Sequence, residues 1–279
     1  MRWMAIVGML LVSVVQAQTP ERIGAVEIDR SDRYLVPSKS VGDTFRIDVV
    51  LPIGYEASDE AYPVVYVTDA NYLLSSALSS YLAQATNEFQ KLIIVGVGWD
   101  VPSITRIRVR DFSPSCDAEY QKSNSMADHE CGGADAFASF LQDELQPFIN
   151  KRYRSNEDNT LVGYSFGGLF ATHVLFNHTE AFDRYLIGSP SLRWDDETSF
   201  ASESTYAQKH DDLAKTVYIS VGGEEGFGTI PRAYRMYEQL QARSYPSLNI
   251  QLEVIPGETH MTSIAPFLLR GLRSVGFAP

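Results

Sequence analysis

The sequence predicts an α/β fold with a mostly parallel central β-sheet and helices on both faces. Three observations carry this. Short continuous apolar runs such as "YPVVYV" and "LIIVGVG" read as strands buried on both sides. Amphipathic stretches with helical spacing lie between such runs. Strands and helices also alternate along the chain instead of falling into blocks, the order expected of βαβ units.

In chain order, "TFRIDVVLP" (44–52) alternates and is rich in β-branched residues, so it predicts a strand. "YPVVYVTD" (62–69) and "KLIIVGVG" (91–98) are the two buried strands that follow. "ADAFASFLQDELQPFINKRY" (134–153) sets Phe137, Leu141, Leu145 and Phe148 at helical spacing, with Phe140 and Ile149 widening the stripe. Strand "TLVGY", helix "GGLFATHVLF", strand "RYLIGS", strand "TVYISVGG", helix "RAYRMYEQLQAR", strand "NIQLEVI" and a last helix near "SIAPFLLRGLR" complete the series. There are no repeats, low-complexity tracts or Pro/Ser linkers, so residues 18–279 are expected to form one domain.

The residues before it are a different kind of segment. Arg2 is followed by an apolar run from Met4 to Val15, broken only by Gly8 and Ser13, and then by Val15-Gln16-Ala17. That order is a signal peptide with cleavage after Ala17, and it implies a periplasmic or secreted protein. The run is too short for a stable membrane-spanning helix, and no later segment is long and apolar enough, so no stable membrane association is expected. The formal net charge of −12 argues against a nucleic-acid partner. The two cysteines, Cys116 and Cys131, are expected to pair in an exported chain, since no Cys-x-x-Cys or histidine pattern suggests a metal.

The chemistry centres on "NTLVGYSFGGLF" (159–170). A Gly-x-Ser-x-Gly match arises by chance in roughly one chain in ten of this length, so the motif alone is weak. Its context is specific. A strand runs into Ser165, the chain turns sharply, and a helix opens at Gly167-Gly168. A serine nucleophile needs a base, and in this arrangement the chain order is serine, acid, histidine. His260, in the loop "PGETH" after the last strand, satisfies it. His129 precedes the serine, and His210 lies in the charged "AQKHDD". His173 and His178, five apart on the helix after the serine, are not expected to share a face or to hold a metal. The acid is expected where "TVYISVGGEEG" leaves the sheet, at Glu224 or Glu225. For an oxyanion hole, one backbone N–H is that of Phe166, and a second is expected from Ala70 or Asn71 in "VTDANY".

With these residues in place the chain resembles the esterase D-like branch of the α/β-hydrolases, which includes exported siderophore esterases, feruloyl and acetyl-xylan esterases, and S-formylglutathione hydrolases. The likeness runs in order through "VPSKSVGDTFRIDVVLP", "YPVVYVTDAN", "RDFSP", "GGADAFASFLQDELQPFINKRY", "LVGYSFGGLF", "GSPSLRWDD" and "GETH". It implies the α/β-hydrolase fold and hydrolysis of a small-molecule carboxyl ester without a cofactor, with Ser165 as nucleophile and His260 as base. In such esterases the acid tends to lie three positions after the first glycine of its turn, which is Glu225 here. The chain departs from the pattern at Asp69-Ala70, where Asp-Gly is frequent, and at Arg193, where a second Trp is common.

Arg106, Arg108 and Arg110 alternate, which on an extended segment would put three guanidinium groups on one side to receive an anionic or catecholate substrate. Pairing with surface carboxylates such as Asp111 is the other reading of the same residues. The loop from Cys116 to Cys131 could be a lid or a stapled surface loop. At this level an acyltransferase and a non-catalytic binding protein on the same fold also stay open.

Overall fold

The computed structural model describes residues 27–78, 88–125, 128–226 and 228–277, so the proposed signal peptide lies outside the described residues. Eight strands form one sheet: β1 (Ser31–Pro37), β2 (Thr44–Val50), β3 (Tyr62–Val67), β4 (Ile93–Gly98), β5 (Ser155–Tyr164), β6 (Arg184–Gly188), β7 (Thr216–Gly222) and β8 (Asn249–Ile255). Their order across the sheet is β1-β2-β4-β3-β5-β6-β7-β8. The β1–β2 and β2–β4 pairs are antiparallel, and every other pair is parallel.

The buried strands explain their own composition. Val64 and Tyr66 of β3 enter one core while Val65 and Val67 enter the other, and Ile93 and Val95 of β4 oppose Ile94 in the same way. Alternate side chains leave opposite faces, so a strand covered on both sides must be apolar throughout. One face is covered by α1 (Ala70–Ala77) and by the last α-helix (Ile264–Leu272), through Leu73, Leu74, Phe267, Leu268 and Leu272. The other carries the larger core, to which Phe112, Phe137, Phe140, Phe170 and Phe182 contribute.

The long predicted helix is present, but it is not uniform. An α-helical turn, Ala134–Ser139, passes through a π-helical stretch, Phe140–Leu145, into Gln146–Arg152. Phe137, Phe140, Leu141, Leu145 and Ile149 are fully buried, whereas Phe148 is only partly buried and packs edge-on against Tyr34. The edge strand β1 lacks a strong pattern because most of its side chains are exposed.

One expectation is overturned. The arginine segment is not extended: Thr105–Phe112 is an α-helix, here α2. Its alternating β-branched residues mimic a strand, but burial of Val109 and Phe112, one turn apart, and ion pairs on either side settle it as a helix.

Candidate active site

Strand β5 ends at Tyr164, and the next α-helix, Phe166–Asn177, begins one residue beyond Ser165. Ser165 lies between them at φ 60°, ψ −113°. A non-glycine residue held there costs on the order of 1–3 kcal/mol, so the surroundings must enforce it. They do. Its N–H donates to the Gly188 carbonyl at 2.9 Å, and its carbonyl accepts from Leu169 at 3.0 Å and Ser191 at 3.1 Å. A Cβ on Gly163 would collide with the Gly167 carbonyl oxygen, and one on Gly167 would lie 2.8 Å from Thr68 Oγ1. Both glycines are therefore demanded by the close approach of strand to helix.

His260 follows β8, and its Nδ1 lies 2.8 Å from Glu225 Oε2. The imidazole is 42% exposed and the Glu225 side chain 1%, so a buried carboxylate holds an accessible ring. Burial alone would raise the Glu225 carboxyl. Hydrogen bonds from His260, from the Ser189 hydroxyl and from the Gly222 N–H (2.8 Å) outweigh it and hold the group below the usual glutamate range. Glu224 points elsewhere: it is exposed, and its N–H is used on the Glu258 carbonyl.

A hydroxyl cluster backs this pair, built from residues whose role the linear sequence did not reveal. Tyr164 donates to the His260 carbonyl, and its oxygen lies 2.8 Å from Ser189 Oγ and 2.6 Å from Ser263 Oγ. Three separate segments meet there, which no local motif could announce. Burial pushes the Tyr164 phenol up to about 12.

Ser165 and His260 border two depressions. The larger, about 430 Å³, is walled by Tyr120, Phe166, Arg193, Glu224, Thr229 and Arg232 among others. The smaller, about 160 Å³, includes Tyr72, Leu73, Arg108, Met261 and Ile264. Tyr120, Phe166 and Trp194 form an aromatic triangle with ring centroids 5.2–6.0 Å apart, and the Arg193 guanidinium lies over Tyr120.

Tyr120 comes from the loop between the cysteines, which are joined in a disulfide. Trp194 Nε1 donates to the Ser115 carbonyl, and Asp117 accepts from the N–H groups of Tyr120 and Asp195. The loop is thus docked as a wall of the larger depression.

The arginines separate. Arg106 pairs with Asp128, and Arg110 pairs with Asp111 and Asp43; the two line a separate cavity of about 170 Å³ with His129 and Glu130. Neither lines the depressions at Ser165, because a helix carries residues four apart on a face turned away from Arg108. Arg108 is the one beside the serine, gripping the buried Asp69 carboxylate through two bonds of 2.6 and 2.7 Å. Asp69, at φ 55°, precedes α1, so Ala70 and Asn71 occupy the first helical positions, where N–H groups lack intrahelical partners. Phe166 has the same position in its own helix. The Asn71 side chain is used structurally, exchanging two 3.0 Å bonds with the Trp99 backbone.

A further expectation fails at the other end of the Phe166–Asn177 helix. His173 and His178 do come together, both Nε2 atoms reaching Asp135 Oδ1, at 2.7 and 2.9 Å. The helix ends at Asn177, and His178 at φ −132° leaves the helical path, so helical spacing no longer governs it.

Comparison with known proteins agrees with this architecture. The ferri-bacillibactin esterase BesA of Bacillus subtilis (strain 168) is 24% identical over 262 residues, covering 89% of this chain and 90% of its own. The crystal structure of the BES protein from Bacillus cereus superimposes with a TM-score of 0.81 at 26% identity, over 94% of this chain and all of that one. That of an IroE-like serine hydrolase from Shewanella oneidensis gives 0.75 at 30% identity, over 87% of this chain and 78% of the other. A family model described as "Putative esterase" matches residues 38–263, and the chain belongs to that family of ester hydrolases, with the α/β-hydrolase fold.

Proposed function

We propose that the chain is an exported serine esterase that works through an acyl-serine intermediate. One observation supports this above all: Ser165, raised on a strained turn, borders the same two depressions as an imidazole whose Nδ1 is engaged by a buried, ionised carboxylate. With Nδ1 so engaged, Nε2 is the nitrogen free to take the serine proton.

Ser165 Oγ attacks the ester carbonyl carbon as its proton passes to His260. The tetrahedral oxyanion is met by the N–H of Phe166 and that of Ala70 or Asn71, at two helix starts where partial positive charge gathers. Collapse expels the alcohol, which takes the proton from His260, and leaves the acyl-serine. Water then attacks in the same manner, releasing the acid and restoring Ser165. Glu225 fixes the ring and stabilises its charged form.

An ester has two arms, and the serine has a depression on each side. The larger suits a polar arm, since Arg193, Arg232 and Glu224 lie on its wall; the smaller is mainly apolar. Given the names of its relatives, a siderophore-type ester is the proposed substrate class. The cleavable leader and the disulfide support a periplasmic or secreted site of action.

A fluorophosphonate probe followed by peptide mapping tests the reading. The adduct is expected on Ser165 alone and absent from Ser165→Ala; an adduct on another serine would refute the assignment.

A further inference from the structure

At the end of the Phe166–Asn177 helix remote from Ser165, two imidazole nitrogens and one carboxylate oxygen converge. The donor atoms of Asp135, His173 and His178 all lie within 4.8 Å of one another, the one such grouping of three or more among the described residues. We propose that Asp135, His173 and His178 bind one divalent transition-metal ion of the zinc class, with water completing a four-coordinate shell.

Two nitrogens and one carboxylate oxygen form a donor set that suits Zn²⁺ and, among its spectroscopic substitutes, Co²⁺. Both imidazoles present Nε2 to the same oxygen, at 2.7 and 2.9 Å. Ligands about 2 Å from a tetrahedral metal sit roughly 3.3 Å apart, so each nitrogen-to-oxygen separation needs to open by only about half an ångström. The freedom is available where it is needed, because the Asp135 side chain is 72% exposed while those of His173 and His178 are 8% and 20% exposed. Two anchored rings and one adaptable carboxylate make a site that can close on an ion.

Coordination through Nε2 moves the ring proton to Nδ1. At His173 that nitrogen faces the Asn177 side-chain amide 3.2 Å away; to accept the proton the amide turns over, giving up its 3.0 Å bond to the His173 carbonyl.

From Ser165 to His173 the helix rises about 12 Å, so the ion does not reach the ester. It would tie the start of the Ala134–Ser139 helix to the end of the helix that Ser165 heads.

The test uses the full mature chain, untagged and stripped with a chelator, titrated with Zn²⁺ by calorimetry and with Co²⁺ by visible absorption. One equivalent should bind with a Kd of about 1 μM or tighter, and Co²⁺ should give the intense visible bands of a tetrahedral complex. Asp135→Asn and His178→Gln, both at accessible positions, should each weaken binding about tenfold or more while leaving the circular dichroism unchanged. Absence of saturable one-to-one binding up to about 100 μM Zn²⁺ in the unmutated chain overturns the proposal, as does unchanged affinity in either variant. Neither readout involves ester hydrolysis, so the outcome stands apart from the serine assignment.

Discussion

Two histidine–carboxylate groups in this protein are built in opposite senses. At His260 the carboxylate is buried and the imidazole exposed; at His173 the imidazole is buried and the carboxylate exposed. A buried carboxylate with three donors cannot wander, so it fixes one ring and leaves that ring's far nitrogen for a substrate. A buried ring and a partly buried one sharing an exposed carboxylate present their nitrogens to the same point. Which partner is buried thus decides whether such a pair suits proton transfer or ligation.

The largest expected effect lies at the serine. Ser165→Ala should lower kcat by about a millionfold with the fold intact, since a hydroxyl alone is removed from a unit that acts together. A variant turning over at near-normal rate would place the nucleophile elsewhere and end the comparison.

Glu225→Gln comes next. It keeps the shape but loses the charge that stabilises the imidazolium, and kcat should fall on the order of a thousandfold or more, whereas Glu224→Gln should change it little. Steady-state kinetics on an aryl ester separates them. The reverse ranking would transfer the role to Glu224; two mild effects would mean that Ser165 and His260 suffice.

The pH profile sharpens the same point. His260 accepts the serine proton only when neutral, so kcat/KM should rise with pH along one ionisation. Glu225 is held below its usual range, so it stays charged as pH falls through mild acidity and adds no second limb there. Two resolved acid limbs would show that the carboxylate is less firmly held than its hydrogen bonds indicate.

The smallest effect on catalysis is expected from the disulfide, which lies between the two regions. Its loop carries Tyr120 to the serine, and the chain leaves Cys131 for the helix that bears Asp135. Replacing both cysteines with serine should cost about 3 kcal/mol in the entropic model, lowering Tm by roughly 5–10 °C. Small aryl esters should still be cleaved, because Ser165, His260 and Glu225 take no support from the bridge. An unchanged Tm would show that the docking of Asp117 and Trp194 holds the loop unaided.

What could be read from the sequence follows from how local each constraint is. A sharp strand-to-helix turn imposes glycines at fixed offsets, so Ser165 announces itself, and chain order then singles out His260. Continuous apolar strands are legible because burial on two faces leaves no room for polar residues. "TRIRVRDF" misleads because its alternation arises from ion pairs to Asp69, Asp43, Asp111 and Asp128, none of which local periodicity can see. His178 misleads because the helix stops one residue before it. Tyr164, Ser189 and Ser263 carry no local signature; they matter only where three segments meet at the carboxyl end of the sheet strands.

The phenol at that meeting point has a consequence of its own. Tyr164 is the x before the serine in Gly-x-Ser-x-Gly, yet it grips the backbone of the histidine, so the strand carrying the nucleophile also moors the loop carrying the base. With its ionisation moved up to about 12, the phenol keeps its proton at every pH at which such an enzyme works. The mooring is therefore indifferent to acidity while the ring it positions is not, and a titration of activity records the imidazole without the loop shifting beneath it.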